Sequence, residues 1–466
     1  MKDKILFATA LFLSRSYLNV LKVFNKDKDD KPGLLACKIF NNFLEKIDKP
    51  KITIVVTGTN GKTTVTNLVG DMLIKLGNKV SYNNWGANTK AGTVRCYLEN
   101  TTIFNKNKAD VVLIEADEIT VNEIFPYIKP DYLLVTNLYR DSMHRNAHPY
   151  FVFNKINDYI PDNTTLILNA DDPISSSLKE TNKCVYYGID KLDTDKDKSD
   201  NIVNDFILCP KCNHEIKYIY NRFHHIGKFI CPNCNYKSKE SDYLVTNINY
   251  DEMVIDVKHN DSNIVYPIIN DSIFNIYNVL SVITLLQEMG YPSNKIIENL
   301  NTQEIVASRY TSTYVNNIEI CTMVAKGLNA VAVSRVCDYL KDLKGNIEII
   351  MVLDDTFDNK NGSEAIAWIF DTDFELLNKE NIKKIVIGGV RNNDYKLRLE
   401  LAGIPKDRII GVDKEQDTYK YLDYKNIDKI IILHEVYYIT GAYKIKENII
   451  KEIKKGENNE NWNTLP

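Results

Sequence analysis

The sequence predicts an α/β protein with a phosphate-binding loop on a parallel sheet, an inserted four-cysteine zinc ribbon and a second, smaller α/β domain. Three observations carry this prediction. Short apolar runs alternate with helical patterns, a glycine-rich turn follows the first run, and two Cys-x-x-Cys pairs interrupt the alternation. Continuous apolar runs indicate strands buried on both faces, as in parallel sheets covered by helices.

The composition bounds the class of protein. The chain has 466 residues, of which 44% are hydrophobic and 26% charged, with a net charge of −4. This length predicts two or three domains, and the acidic balance argues against nucleic acid as a partner. Nine cysteines, four of them in close pairs, indicate metal-binding thiols in the reducing cytoplasm rather than disulfides.

Residues 1–48 are predicted to form N-terminal helices. The apolar run at 5–13 is shorter than the ~20 residues that span a bilayer, and no signal-peptide cleavage site follows it. Five apolar residues in this region have the spacing of an amphipathic helix: Leu6, Leu13, Leu18, Leu21 and Phe24. We expect this helix to pack on the body of the protein, and the alternative is a helix on the inner face of the membrane. No transmembrane segment is predicted.

A central domain is predicted over 49–304 and a smaller C-terminal α/β domain over 305–466. The apolar strands expected in the central domain lie at 52–56, 111–114, 132–135 and 165–168. The corresponding runs of the C-terminal domain lie at 347–353, 384–387, 408–412 and 429–433. An Asp- and Lys-rich loop at 190–200 leads into a cysteine-containing insert at 205–238.

The turn after the first strand is typical of a phosphate site. Backbone N–H groups of such a loop and the start of the following helix cradle phosphates. Lys62 would reach the terminal phosphates of ATP, and the Thr63 hydroxyl would bind Mg²⁺. Val56 stands where the generic motif has its first glycine. The residues expected to bind the nucleotide here are Gly58, Thr59, Asn60, Gly61, Lys62, Thr63 and Thr64.

The two cysteine pairs predict a structural zinc site. Cys209 and Cys212 are followed, after eighteen residues, by Cys231 and Cys234. Four thiolates at this spacing form a closed tetrahedral site for Zn²⁺ with no open position for a substrate. Several basic residues lie nearby, and we expect them to be solvated. The alternative is a ribbon that uses them to bind nucleic acid. They are Lys211, Lys217, Arg222, Lys228 and Lys237. The histidines expected at the surface are His214, His224 and His225.

The phosphate loop resembles that of the Mur ligase family, which joins amino acids or amines to cell-wall precursors through acyl phosphates. Three further sites agree with the family: a glutamate ending a strand, Thr136-Asn137, and the run at 169–173. The resemblance implies that Glu115 binds Mg²⁺ together with Thr63 and that Arg309 contacts the phosphates of ATP. It also implies an adenosine-binding motif formed by Asn169, Asp171 and Asp172.

Within this family the chain resembles the MurT-type subgroup, which amidates the α-carboxyl of D-glutamate in the lipid-linked peptidoglycan precursor. The segments that carry this resemblance lie at 83–92, 140–145, 274–278, 368–375 and 397–399. The resemblance implies a GatD-type glutaminase partner that supplies ammonia. In that subgroup an aspartate of the C-terminal domain completes the partner's Cys–His pair.

The chain departs from the subgroup where that aspartate is expected. The segment at 354–368 is three residues longer than the subgroup's, and Ala365 stands at the place of the second aspartate. Asp355 is the favoured catalytic carboxylate, ahead of Asp358 and Glu364. Two alternatives therefore stay open: a stand-alone Mur-type amino-acid ligase, and a divergent paralogue that binds nucleotide as a scaffold. The complete set of nucleotide residues argues against the scaffold.

Overall fold

The structure, a computed structural model, describes residues 1–26, 29–83, 87–140, 148–303, 310–354 and 366–460. The chain forms two compact units. The described residues of the first unit lie within Met1–Arg140, His148–Asp200 and Asn204–Ile305, and those of the second within Asn201–Val203 and Val306–Pro466. The predicted domain boundary between 304 and 305 lies outside the described residues.

Three helices precede the first sheet: α1 (Lys2–Val23), α2 (Lys31–Ile39) and α3 (Phe43–Lys46). The buried positions of α1, which lie on one side of the helix, are Phe7, Ala10, Leu11, Ser14 and Leu18. The predicted helix is confirmed, but the predicted apolar stripe was wrong for Leu13 and Phe24, which are exposed. Apolar residues occur all round α1, so spacing alone could not identify the face that packs.

The alternation of strands and helices follows. In chain order its elements are β1 (Ile52–Thr57), α4 (Lys62–Lys75), β2 (Val80–Tyr82), α5 (Lys90–Asn100), β3 (Val111–Glu115), α6 (Thr120–Ile124), β4 (Tyr132–Val135), α7 (Pro149–Asn157), β5 (Thr165–Asn169) and β6 (Cys184–Ile189). The four strands predicted in this region are confirmed as β1, β3, β4 and β5. Each is almost wholly buried, as strands covered by helices on both faces must be.

The remaining elements of the first unit include the insert. They are β7 (Lys217–Phe223), β8 (Ile226–Ile230), β9 (Tyr243–Asn249), β10 (Val254–His259), β11 (Ser262–Pro267), α8 (Ile273–Glu288) and α9 (Ser293–Leu300). β7 and β8 form a separate antiparallel hairpin. Strands β9 to β11 extend the main sheet, and their mixed polar and apolar composition gave no clear signal in the sequence.

The main sheet has nine strands in the order β11-β10-β9-β6-β5-β4-β1-β3-β2. In this spatial order, the seven strands from β9 to β2 pair in parallel, whereas β10 is antiparallel to both β9 and β11. Since parallel strands end at one edge of a sheet, the residues that follow β1, β3, β4 and β5 meet there. All the described residues of the predicted nucleotide site come from this edge.

The second unit is a smaller α/β domain. Its elements are β12 (Tyr310–Val315), β13 (Ile318–Val324), α10 (Ala330–Lys341), β14 (Ile347–Val352), α11 (Ala367–Asp371), β15 (Ile382–Gly388), α12 (Asn392–Leu401), β16 (Ile409–Val412), β17 (Lys429–His434) and α13 (Ile439–Glu460). The sheet order is β12-β13-β17-β14-β15-β16, and only β12 is antiparallel to its neighbour. The four strands predicted here are confirmed as β14 to β17.

Short 3-10 turns complete the described parts of both units. They lie at Ser175–Ser177, Phe374–Leu377, Lys406–Arg408, Glu415–Tyr421 and Val436–Tyr438. Among the described residues, no helix is long and apolar enough to cross a membrane.

Candidate active site and metal centre

Two glycines allow the predicted phosphate loop to turn tightly between β1 and α4. Gly58 and Gly61 have φ angles of +128° and +86°, a region that glycine adopts without strain. A Cβ atom on Gly58 would lie 2.3 Å from the Thr136 hydroxyl oxygen, and one on Gly61 would lie 2.7 Å from Asn278 Oδ1. The loop is therefore packed closely between the end of β4 and the first turns of α8.

The residues after β4 fix the backbone of this loop. The Asn60 N–H donates to Asn137 Oδ1 at 3.0 Å, and Asn137 Nδ2 donates to the Asn60 carbonyl at 3.0 Å. The Thr136 hydroxyl donates to the same carbonyl at 2.7 Å. The Thr136-Asn137 pair thus has a physical role, because it holds the loop in one conformation before a ligand arrives.

Lys62 begins α4 and is almost completely buried. Its ammonium lies 3.1 Å from Glu118 Oε2 and also donates to the Gly58 carbonyl. Burial alone would lower the pKa of Lys62, but the carboxylates of Glu118, Asp117 and Glu115 outweigh it, so the pKa is raised. Lys62 is therefore a charged group at the loop.

Thr63 and Glu115 lie side by side, as a shared magnesium site requires. The Thr63 hydroxyl donates to Glu115 Oε1 at 2.9 Å. Asn83 holds the backbone of Glu115 on both sides, accepting from its N–H at 2.8 Å and donating to its carbonyl at 3.1 Å. A hydroxyl and a carboxylate are the hard oxygen ligands that Mg²⁺ prefers, so these residues fit the ion.

Asp171 is fully buried, and both of its carboxylate oxygens are bound by the protein's own groups. Oδ2 accepts from the Tyr277 hydroxyl at 2.7 Å and from the Ile189 N–H at 2.9 Å, and Oδ1 lies 3.1 Å from the Lys228 ammonium. Burial raises the pKa of Asp171, but Lys228 and Arg222 lower it more strongly, so the net pKa is lowered. Asp171 is therefore an ionised carboxylate.

Asp172 organises the chain around it. Its carboxylate accepts from the Leu138 N–H at 2.8 Å and the Ile174 N–H at 2.9 Å, and lies 3.3 Å from His225 Nε2. Asn169 Oδ1 accepts from the Asp171 N–H at 2.9 Å, which closes the turn of this motif. The role of Asn169, Asp171 and Asp172 in binding adenosine stays a prediction, and the geometry shows a motif held rigid by its own contacts.

The hairpin of the insert reaches this motif, which the sequence did not indicate. His224 and His225 were predicted at the surface, and this was wrong, because both are buried. The ring centroid of Tyr139 lies 4.6 Å from that of His225 and 5.8 Å from that of His224. Arg222 and Lys228, expected to be solvated, instead bind Asp171. The turn between β7 and β8 is folded onto the domain rather than into solvent.

The four cysteines of the insert come together. Their Sγ atoms lie within 4.8 Å of one another, with Cys209–Cys234 at 3.6 Å and Cys212–Cys231 at 3.5 Å. A tetrahedral Zn–S bond of about 2.3 Å implies a sulfur–sulfur distance of roughly 3.8 Å. The four thiols therefore fit a tetrahedral metal.

The two cysteine knuckles are built alike. The N–H of the residue after each Cys-x-x-Cys pair, Asn213 and Asn235, donates to the carbonyl of the first cysteine, at 2.8 Å and 3.0 Å. Both asparagines have positive φ angles, which asparagine tolerates better than most residues. β7 and β8 run between the knuckles, so a bound metal would fasten both ends of the hairpin.

Helix α8 contributes two site residues to which the sequence motifs assign no role. Tyr277 binds Asp171, and Asn278 contacts Gly61 of the phosphate loop. The segment at 274–278 was noted in the sequence, and its position at a helix start was the available signal. Arg309 and Asp355 lie outside the described residues, as do 84–86, 141–147 and residues 355–365 of the altered segment.

Comparison with known proteins agrees with this geometry. The Mur ligase middle domain model matches residues 56–234, and the MurT ligase C-terminal model matches 327–438. The MurT subunit of lipid II isoglutaminyl synthase (glutamine-hydrolyzing) from Staphylococcus aureus (strain COL) is 30% identical over 420 residues, covering 90% of this chain and 93% of that one. Its counterpart from Streptococcus pneumoniae is 28% identical, covering 86% and 88%.

Solved structures share the fold. A pseudomurein peptide ligase type C from Methanothermus fervidus has a TM-score of 0.66 at 21% identity, covering 87% of this chain and 81% of that one. MurF from Acinetobacter baumannii has a TM-score of 0.61 at 11% identity, covering 90% and 81%. MurF ligase from Thermotoga maritima in complex with ADP has a TM-score of 0.58 at 14% identity, covering 91% and 84%.

The fold and the matching middle domain define an ATP-dependent ligase of the Mur type. Within that class the chain belongs to the family of MurT subunits. The Mur ligase family implies ATP and Mg²⁺ as cofactors, and the subunit name of the relatives implies a partner subunit.

Proposed function

We propose that this chain is the ligase subunit of a glutamine-dependent enzyme that amidates the α-carboxyl of D-glutamate in a lipid-linked peptidoglycan precursor. The observation that carries the proposal is the 30% identity to a MurT subunit over 90% of the chain. A nucleotide site in which Lys62 contacts Glu118 and Thr63 contacts Glu115 supports it.

The reaction we propose has two steps. A carboxylate oxygen of the substrate forms a bond to the γ-phosphorus of ATP, and ADP leaves. Ammonia then forms the C–N bond to the acyl carbon, phosphate leaves with the electrons of the C–O bond, and the proton that the nitrogen loses is taken up by the phosphate. Because anions meet in the first step, fixed positive charge near the phosphate lowers the barrier.

The residues of this chain divide that work. Lys62 would stabilise the charge on the transferred phosphate, and Thr63 with Glu115 would hold Mg²⁺, which would supply further positive charge to the phosphates. The loop 58–64 would bind the phosphates, with Arg309 as a further contact. Asn169, Asp171 and Asp172 would shape the adenosine end, a role that the rigid contacts of Asp171 support.

Two further assignments belong to this proposal. Cys209, Cys212, Cys231 and Cys234 would hold one structural Zn²⁺, since their sulfur atoms already fit a tetrahedron. A GatD-type glutaminase would supply the ammonia, with Asp355 completing its catalytic pair. The domain boundaries at 48/49 and 304/305 are likewise proposed.

A direct test is co-purification of the chain with a glutaminase, followed by product analysis with ATP and candidate muropeptides. We expect amidated product with glutamine or ammonia as the nitrogen donor. Product that contains an added amino acid instead would favour the stand-alone ligase. Nucleotide binding without any product would favour a scaffold.

A further inference from the structure

Helix α1 leaves one long face uncovered. One side of the helix, around Phe7, Leu11 and Leu18, packs into the core. The large apolar residues on the uncovered side, with their exposed fractions, are Ile5 (60%), Phe12 (55%), Leu13 (43%), Val20 (53%) and Val23 (78%). Phe24, directly after the helix, is also largely exposed.

This face, from Ile5 to Phe24, carries no charged residue among its exposed positions. The exposed residues of α1 between Lys4 and Lys22 are Ile5, Ala8, Thr9, Phe12, Leu13, Asn19 and Val20. At 1.5 Å per residue the face is about 28 Å long. Arg15, the one charge in this stretch, is directed toward α5 and donates to the carbonyls of Leu98 and Glu99 at 2.5 Å and 3.0 Å. A largely apolar and uncharged face of this length on a globular protein marks a binding surface.

Positive charge brackets this face. Lys2 and Lys4 at the beginning and Lys26 after the end are all exposed. α1 contains four basic residues and one acidic residue, a net charge of +3 in a chain whose net charge is −4. Lysine side chains at the ends of a helix that lies on a membrane reach the headgroups, and anionic lipids attract them.

We propose that the exposed face of α1 binds an anionic lipid membrane, with the helix lying in the interface. The helix has 22 residues, and no helix of the described residues is apolar enough to cross a bilayer, so α1 would lie on the surface. The proposal rests on the proposed function for its purpose: a substrate joined to a lipid stays at the membrane, and α1 would bring the enzyme to it.

The test measures binding of the full-length protein to vesicles by flotation. Vesicles of phosphatidylglycerol and phosphatidylcholine are compared with vesicles of phosphatidylcholine alone. The test variant combines Phe12→Asp and Val20→Asp, both at exposed positions. The matched control combines Leu397→Asp and Leu401→Asp, two exposed leucines one turn apart on α12. We expect the wild type and the control to float with anionic vesicles, and binding of the test variant to fall at least tenfold.

Three outcomes would overturn the proposal. The first is a wild type that does not bind anionic vesicles, and the second is a test variant that binds them as well as the wild type. The third is a wild type that does not bind vesicles but forms a homodimer or a glutaminase complex that the two substitutions disrupt. Equal thermal unfolding midpoints of the three proteins are expected and show that the exposed substitutions leave the fold intact. Turnover of a substrate without its lipid tail tests the proposed function separately, and we expect it to be the same in all three proteins.

Discussion

Arg222 and Asp171 form a buried ion pair, with 3.4 Å between Nη1 and Oδ2, that joins the cysteine insert to the nucleotide motif. The same guanidinium lies 2.7 Å from Asp195 Oδ2 and donates to the Asp190 carbonyl at 2.9 Å. Tyr277 contacts both members of the pair. The hairpin and the motif are therefore one polar network, in which each charge depends on the others.

Removing Arg222 should destabilise the first unit and weaken nucleotide binding together. Breaking a buried ion pair leaves an uncompensated carboxylate and typically costs about 3–5 kcal/mol. We expect Arg222→Ala to lose stability on that scale in urea unfolding and to raise the KM for ATP, and Arg222→Lys to recover part of both. Lys237→Ala serves as the control, because Lys237 is on the same insert but exposed. An Arg222→Ala protein with unchanged stability and KM would show that the network is dispensable.

Lys62 should be essential for turnover. No other described lysine or arginine is placed at the beginning of α4, and removal of a preorganised charge stabiliser typically costs about 100-fold in rate. We expect Lys62→Ala to lose at least ~100-fold in ATP turnover with a carboxylate substrate. Lys75→Ala, at the solvent-exposed end of the same helix, should keep wild-type turnover. Wild-type activity in Lys62→Ala would exclude this loop as the active one.

One zinc ion per chain should be bound, and its loss should affect the nucleotide site. A four-thiolate site supplies much of the folding free energy of a small ribbon. Taken alone, a structural site predicts that loss of the metal harms the folding of the insert more than nucleotide affinity. The contacts of Arg222, His225 and Lys228 change this expectation, since unfolding of the hairpin removes all three from Asp171 and Asp172.

Elemental analysis and limited proteolysis check this prediction. Protein purified without chelator should contain zinc, and chelation should expose the insert to protease and weaken binding of a fluorescent ATP analogue. Cys337→Ser, a buried cysteine of the second unit, is the matched thiol control and should keep its zinc. Absence of zinc, or native protease resistance after its removal, would contradict the prediction.

The sequence predicted the local parts of the site and missed the parts that tertiary packing creates. The phosphate loop and the cysteine knuckles could be identified because a few neighbouring residues define them. The ion pair between Lys62 and Glu118 joins residues 56 positions apart, and the hairpin contact between Arg222 and Asp171 joins residues 51 positions apart. Hydrophobic periodicity carries no information about contacts between residues so far apart in the sequence. His224 and His225 illustrate this, because they lie in a polar turn and nothing in the sequence indicates that the turn is buried against the domain.

Glu348 should make the stability of the second unit depend on pH. Burial raises the pKa of Glu348 from 4.5 to about 7, against the opposing effect of the Asp423 N–H, which donates to the carboxylate. A raised folded-state pKa means that the carboxyl contributes stability when protonated, below about pH 4.5, and that this contribution is lost as pH rises through about 7. The loss is at most roughly 3.5 kcal/mol, at ~1.4 kcal/mol per pKa unit.

The Glu348→Gln variant tests this dependence, because an amide does not titrate. Urea unfolding at pH 5 and pH 8 should show that the variant gains stability relative to the wild type as pH rises. Glu380→Gln changes an exposed glutamate of the same unit, and its unfolding free energy should differ from that of the wild type by the same amount at both pH values. If the unfolding free energy of Glu348→Gln also differs from the wild type by the same amount at both pH values, Glu348 does not titrate in this range.

The last prediction concerns the carboxylate that this chain would supply to a glutaminase. Such a group holds the partner's catalytic histidine in the right tautomer and stabilises its protonated form. Ala365 cannot do this, and Asp355, Asp358 and Glu364 are the candidate acids in the altered segment. We favour Asp355 because it follows β14 by three residues, and a position near a strand end is held more rigidly than a long loop.

Each acid is changed to its amide in the reconstituted pair, and product is measured with glutamine and with ammonia. We expect Asp355→Asn to lose product from glutamine at least ~100-fold and to keep product from ammonia, while Asp358→Asn and Glu364→Gln keep both. Equal activity in all three variants beside an active wild type would refute a role for this segment. If no glutaminase binds the chain, a stand-alone ligase becomes the better account of the same active site.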